Sequence, residues 1–222
     1  MSKIIHLIRR DFMVQRRQKT FVMPIILSVV AAVILASSPS FAVGTIIMAT
    51  YFLTIYVNAY DFKYNTELGY RSLPIRRSSL VISRYMAVWV FTGAALAISI
   101  AASMVLNFGG WPGVSFQWTL PLVGLTVASI AFYYALFFPI YFQLGYMKSR
   151  WANYFAMIAL YSVLGALQSR IADESRLPGI VLSEMLNTPL LVILLAIAFA
   201  VFILSMLISI KIYSNKEVGS TN

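Results

Sequence analysis

The chain has 222 residues, of which 60% are hydrophobic and only 11% charged, with a formal net charge of +10, one histidine and no cysteine. An ordinary soluble domain carries about 25% charged residues, so a mean hydropathy of +0.83 excludes a water-soluble fold, which could not hide this much apolar surface. The absence of cysteine excludes disulfides, and one histidine without nearby thiols makes no metal site of ordinary ligand count.

Residues 1–19 hold Lys3, Arg9, Arg10, Arg16, Arg17 and Lys19. At about 100° per residue, Met1, Ile4, Ile5, Ile8 and Phe12 share one face, and Lys3, His6, Arg9, Arg10 and Arg17 share the other. That pattern predicts an amphipathic helix lying in the membrane interface. No cleavable signal peptide is expected, because the first long apolar run starts only at Thr20.

Four uncharged runs follow: Thr20–Tyr60, Met86–Met147, Trp151–Ser169 and Met185–Ile210. A membrane-crossing helix needs roughly 20 apolar residues, and the first two runs are far longer. "SSPS" (Ser37–Ser40) divides the first, since proline has no N–H to donate and disfavours helix in the residue before it. "NFGGWPGVSFQW" (Asn107–Trp118) divides the second. The expected fold is therefore an all-α polytopic membrane protein, a single transmembrane domain over 1–222. It has spans at 20–37 and 41–60 (within 20–60), 80–106 and 119–145 (within 80–145), 151–168 and 188–210. Segment 61–79 lies on one side, 169–187 on the other, and 211–222 forms a tail.

Lys and Arg orient the spans. The N-terminus, Lys63, Arg71, Arg76, Arg77, Arg84, Lys148, Arg150, Lys211 and Lys216 bring 15 of the 17 basic residues to one side. Both termini are expected in the cytoplasm, in a multi-pass protein of the cell membrane. The positive charge is thus a topology signal and calls for no nucleic acid. Trp111, Trp118 and Trp151 fall at expected interfaces.

Energy coupling is conspicuous by what is missing. The membrane core of these spans is expected to hold no ionisable side chain other than tyrosine, and ion-driven carriers depend on such groups. Asp61 and Glu67 stand at or beyond the end of the second span. No phosphate-binding loop of the G-x-x-x-x-G-K-[ST] type is present, and no residue set suggests catalysis. The chain is expected to act passively or to take energy from a partner.

The segment "YNTELGYRSLPIRRSSLVISRY" (Tyr64–Tyr85) combines an acid, several bases and a Leu-Pro break between two spans. It resembles the coupling helix of the permease subunit of type-2 ATP-binding cassette (ABC) exporters. The motif is a Glu, a small residue, "LP-x-x-R", then "LV" and a basic residue: Glu67, Gly69, Leu73, Pro74, Arg77, Leu80, Val81 and Arg84. The basic helix ahead of the first span, the six spans, and the apolar 169–187 segment, where that family has short re-entrant helices, extend the resemblance over the whole chain.

The resemblance implies contact with an ATPase through Glu67, Leu68, Gly69, Arg71, Leu73, Pro74 and Arg77. It implies an interfacial helix carrying Ile4, Ile5, Ile8, Phe12, Arg9 and Arg10. Partners would be two ABC ATPase subunits, which hold the ATP and Mg, and a second permease, identical or similar. The chain itself would bind no cofactor or metal and have no catalytic residue. The pathway would lie near spans 1, 2 and 5, where Tyr51, Tyr56 and Asn58 give span 2 a polar, uncharged face. The cargo fits an amphipathic or hydrophobic molecule: a toxin-like or antimicrobial peptide first, a lipid or drug otherwise. An ATPase-independent carrier and a membrane assembly protein without transport are the rivals. "AFYYALFFPIYFQLGY" (Ala131–Tyr146) packs eight aromatics into span 4; these read as lipid-facing bulk and interfacial tyrosines in preference to a path lining.

Overall fold

The computed structural model describes residues 6–13, 20–35, 38–64, 77–109, 118–172 and 188–215. Within them the regular structure is helical throughout: α1 over 6–13, α2 Val22–Ile34, α3 Pro39–Lys63, α4 Arg77–Phe108, α5 Leu120–Ala172 and α6 Thr188–Asn215. Among the described residues, α3, α4, α5 and α6 are long and apolar enough to cross a membrane. At 32 residues α4 reaches about 48 Å, well beyond a hydrocarbon core of about 30 Å.

Of the span expected at 20–37, the described residues are helical over Val22–Ile34. Proline explains both limits. Pro24 sits in the first turn of α2, where its missing N–H costs nothing, and Pro39 opens α3 at the equivalent place.

The link expected at 146–150 is absent. Lys148 and Arg150 are already helical, and α5 is broken at Gly145 alone, where φ is 77° and ψ 177°. Side chains other than glycine rarely adopt that conformation. Tyr133 donates a hydrogen bond to Asn153 across the break. On one continuous helix those residues would stand about 30 Å apart, so the arms 120–144 and 146–172 fold back on each other.

Side-chain contacts fix the helix directions. Asp61 meets Arg84, so α3 and α4 are antiparallel neighbours across the 65–76 connection. Arg77 reaches the end of α6 at Ser214, and Trp89 meets Phe199. Phe142 meets Tyr213, and Phe62 meets Tyr146. Those contacts gather residues 61–64, 77–84, 142–146 and 213–215 at one end, together with α1. The opposite end holds Gly44 against Tyr161, whose phenol donates to the Gly44 carbonyl at 3.0 Å. A Cβ at Gly44 would stand 3.0 Å from that ring, so glycine lets α3 and the second arm of α5 approach this closely.

The packing faces follow the small and polar residues. In α6 the buried positions include Leu191, Ala198, Phe202, Ser205 and Ser209, spaced by three, four or seven, while Val192, Ile193, Ile197, Leu204 and Ile208 are exposed. A helix that is apolar all round cannot mark its inner face by hydrophobicity. In a bilayer small and hydroxylated residues mark it instead.

The aromatic run of α5 is a correction to the sequence reading. Tyr133, Tyr134, Phe137, Phe138 and Phe142 are buried in the bundle core and do not face lipid. Tyr133 packs edge-on to Tyr51 and Phe138 is tilted against Tyr85, which in turn meets Phe202. Tyr134 donates to Thr54 of α3 at 2.9 Å, and Thr54 donates in turn to the Thr50 carbonyl at 3.0 Å. Lipid offers no partner to a phenol at membrane depth, whereas neighbouring helices do.

Pro139 stands inside the first arm of α5 and deprives the Ala135 carbonyl of its helical donor. Ser205 of α6 donates to that carbonyl at 2.7 Å. Tyr85 of α4 lies 2.8 Å from Ser205 and 2.7 Å from Ser209. With the Ser205 proton committed to Ala135, Tyr85 donates to Ser205 and accepts from Ser209. One proline is thereby compensated by three helices.

Candidate functional site

The charged end of the bundle concentrates the chemistry. Leu7 and Asp11, one turn apart on α1, are buried, while His6, Arg9, Phe12 and Met13 are exposed. Ile8 packs with Phe21 against Leu53, Val57, Ala87 and Phe91 of α3 and α4. The face of α1 turned to the protein is therefore Leu7, Ile8 and Asp11, and Phe12 is presented away from it. Ile4 and Ile5 lie outside the described residues.

Asp11 belongs to a four-residue ionic cluster. Arg84 donates from Nη1 to Asp11 at 3.0 Å and from Nη2 to Asp61. Arg10 donates from Nη2 to Asp61 at 2.5 Å, and its Nη1 lies 3.9 Å from Asp11. The Asp11 side chain is only 3% exposed, and those of Asp61 and Arg84 are 12% exposed. Two cations and two anions cancel, which is what lets this much charge leave water. A guanidinium is the group for the central position, because its planar fork can serve two carboxylates at once. Burial pushes the Asp11 carboxyl above its ordinary range, and Arg84 and then Arg10 oppose that shift.

Sequence reasoning missed Asp11 and Asp61, and gave Arg84 only its motif position and a topological charge. A signal was present. Asp11 is the lone acid on a basic helix, four residues after Leu7, and Asp61 ends an uncharged run. Arg77, which the motif includes, sits at the start of α4 and donates to the Ser214 carbonyl at 3.0 Å. A cation there satisfies an end carbonyl of α6 and complements its dipole. Glu67, Leu68, Gly69, Arg71, Leu73 and Pro74 lie outside the described residues. Their two flanks do not: Lys63 and Arg77 end and begin neighbouring helices joined by the Asp61–Arg84 pair.

The pathway candidates divide. Tyr51 and Asn58 share the inner face of α3 with Thr54 and Asp61, at spacings of three and four. Tyr51 lies edge-on to Tyr133 at 6.4 Å. Asn58 is 1% exposed, and neither polar atom of its amide has a partner among the described residues. Tyr56 is half-buried on another face, stacked on Phe52 at 6.1 Å. The described residues include no cluster of three or more metal-ligating side chains.

The arrangement is an ionic cluster at one end and neutral hydrogen bonds through the middle. Comparison with known proteins gives one match. No curated protein and no solved structure matches the chain. A family model described as ABC-2 family transporter protein matches residues 6–214 and so spans nearly all of it. The chain belongs to the ABC-2 family and is a membrane component of an ABC-2 type transporter, from a permease family that carries no ATPase domain of its own.

Proposed function

We propose that the chain is the permease subunit of an ATP-driven exporter whose separate ATPase engages segment 61–79. ABC-2 permeases generally pair with ABC ATPase subunits. The observation that carries the reading is the joining of α3 and α4, on either side of 65–76, by the Asp61–Arg84 pair at the end where α1 also docks. A push on the short connection is then delivered to two long helices together.

Six crossings with both termini in the cytoplasm fit the same geometry. The described residues flanking 65–76, with Gly145, α1 and the end of α6, lie at one end; those flanking 36–37, 110–117 and 173–187 lie at the other. Each arm of α5 is about 25 residues, or roughly 38 Å, enough for one crossing. α1 lies at the cytoplasmic interface, with Phe12 toward lipid and Arg9 toward water. A second permease, identical or similar, completes the pathway, and two ATPases supply ATP and Mg.

An amphipathic or hydrophobic cargo is supported by what lines α3. Tyr51 and Asn58 are polar without a fixed charge, and the Asn58 amide has no partner among the described residues. Among such cargoes a toxin-like or antimicrobial peptide is preferred to a lipid or drug. The test is recovery of the complex from native membrane: an ATPase subunit co-purifies in about equal amount. Recovery of the permease alone, with activity retained, would return the carrier or assembly readings. Cysteines at Phe108 and Lys148, both exposed, check the topology. Phe108→Cys should label from outside and Lys148→Cys only from inside.

A further inference from the structure

The ionic cluster does more than neutralise itself, because its members come from three separate pieces of chain. Arg10 and Asp11 are on α1, Asp61 is at the end of α3, and Arg84 is two turns into α4. The described residues hold only these two carboxylates, and both are in the cluster. In a chain with 17 basic residues and seven acidic ones, topology alone would not place two acids among the cations. Arg84 hydrogen-bonds both, one with each terminal nitrogen, whereas Arg10 hydrogen-bonds Asp61 and only approaches Asp11, at 3.9 Å.

We propose that Arg84 is a positioning residue, a clasp that binds α1 to both helices flanking the 65–76 connection, so that the three move as one body when that connection is displaced. The proposal rests on the reading of 61–79 as the ATPase-facing segment. It adds that α1 is part of the moving element and not merely a float on the membrane surface. Apolar contact alone is thin here: Leu7 and Ile8 are the large aliphatics that α1 turns inward. An ion pair shielded from water adds direction, since it is satisfied in one register and leaves an uncompensated buried charge in any other.

The test uses the full permease in lipid vesicles, with and without the ATPase subunit that co-purifies. The chain has no cysteine, so Arg9→Cys on the exposed side of α1 takes a single nitroxide label. Arg84→Gln should turn a restrained label into a mobile one without any ATPase present. With the ATPase, stimulation of hydrolysis should fall about tenfold, as expected when one partner of a buried charge pair is removed. Adding Asp11→Asn to Arg84→Gln should restore restraint, and stimulation to within about threefold, because the orphaned carboxylate is gone and Arg10 still holds Asp61.

Where Arg84→Gln fails to accumulate, Arg84→Lys replaces it. The charge stays, but a compact ammonium lacks the fork that serves two carboxylates, and the label should still loosen. An unchanged label in both variants overturns the clasp, as does a freed label with stimulation at the level of the native chain. If Glu67→Ala and Arg71→Ala leave stimulation intact while the Arg84 variants reduce it, the clasp stands and the assignment of 61–79 falls.

Discussion

Arg84 and Tyr85 are adjacent in the chain, yet they anchor interiors of opposite kinds. Arg84 reaches toward the helix ends and holds two carboxylates from two other helices. Tyr85 is fully buried and holds two serines of α6 with a neutral hydroxyl. Charge is kept where water is near, and only hydrogen-bonding groups without charge are admitted deeper. The difference teaches how the two regions work. A neutral network such as Tyr85–Ser205–Ala135 tolerates membrane depth and keeps helices in register. An ionic knot at the rim is directional and breakable, which suits the force-receiving role proposed for that end.

Replacement of these neighbours measures the contrast directly. Arg84→Gln should cost about 3 kcal/mol of thermal stability in detergent, at the low end of what removing one partner of a buried pair costs. Tyr85→Phe should cost about 1–2 kcal/mol, since Ser205 keeps its bond to Ala135 and only neutral bonds are lost. A larger loss for Tyr85→Phe would reverse the ranking of the two regions.

The neutral region has an internal check of the same size. Ser205→Ala should cost about 1–2 kcal/mol by orphaning the Ala135 carbonyl. In a Pro139→Ala background that carbonyl regains a helical donor, and the cost of Ser205→Ala should fall below about 0.5 kcal/mol. Equal cost in both backgrounds would show that Ser205 does not compensate the proline.

Asp11→Asn should have the smallest effect, because asparagine keeps an acceptor for Arg84 and removes a charge that burial disfavours. The sign with pH follows from the same cause. The folded-state pKa of Asp11 is raised by burial, against an unfolded value of about 3.9. Its stabilising contribution is complete below about pH 4 and is lost as pH rises through the raised folded value. Acidification from neutral should therefore raise the stability of the folded chain, with Arg84, Arg10 and, beyond Arg84, Asp61 facing the titrating group. Asp11→Asn should flatten that slope; a slope of opposite sign would contradict the burial argument.

Much of the fold was legible because breaks in a membrane protein are written in polar and glycine-rich runs. α2 ends at Ile34, just ahead of "SSPS", and α3 begins at Pro39 within it, so the helical stretches overlap every expected span. Boundaries shifted where helix continues past the lipid: α3 runs to Lys63 and α4 starts at Arg77, not at 80. The reversal at Gly145 was misplaced by one short link, since a single glycine can turn the chain without a polar loop. The inner faces were the least legible. Sequence hydrophobicity cannot tell lipid from core when both are apolar, and so the aromatics of 131–146 were read outward. The site suffered from the same blindness to pairing. Arg84 was counted as a charge, but which carboxylates it would meet depends on how α1, α3 and α4 converge.

The central claim is that an ATPase drives this permease through the segment between α3 and α4. The most direct measurement is stimulated ATP hydrolysis in vesicles by the co-purifying ATPase, with the native permease, Glu67→Ala and Arg71→Ala at equal density. Exposed ion pairs contribute only about 0–1 kcal/mol to folding, so both variants should accumulate and melt like the native chain. At a partner interface each loss should cost about 2–5 kcal/mol, and stimulation should drop by at least about tenfold. Native binding and native stimulation by both variants would contradict the account, leaving 61–79 as a basic loop that only orients the chain.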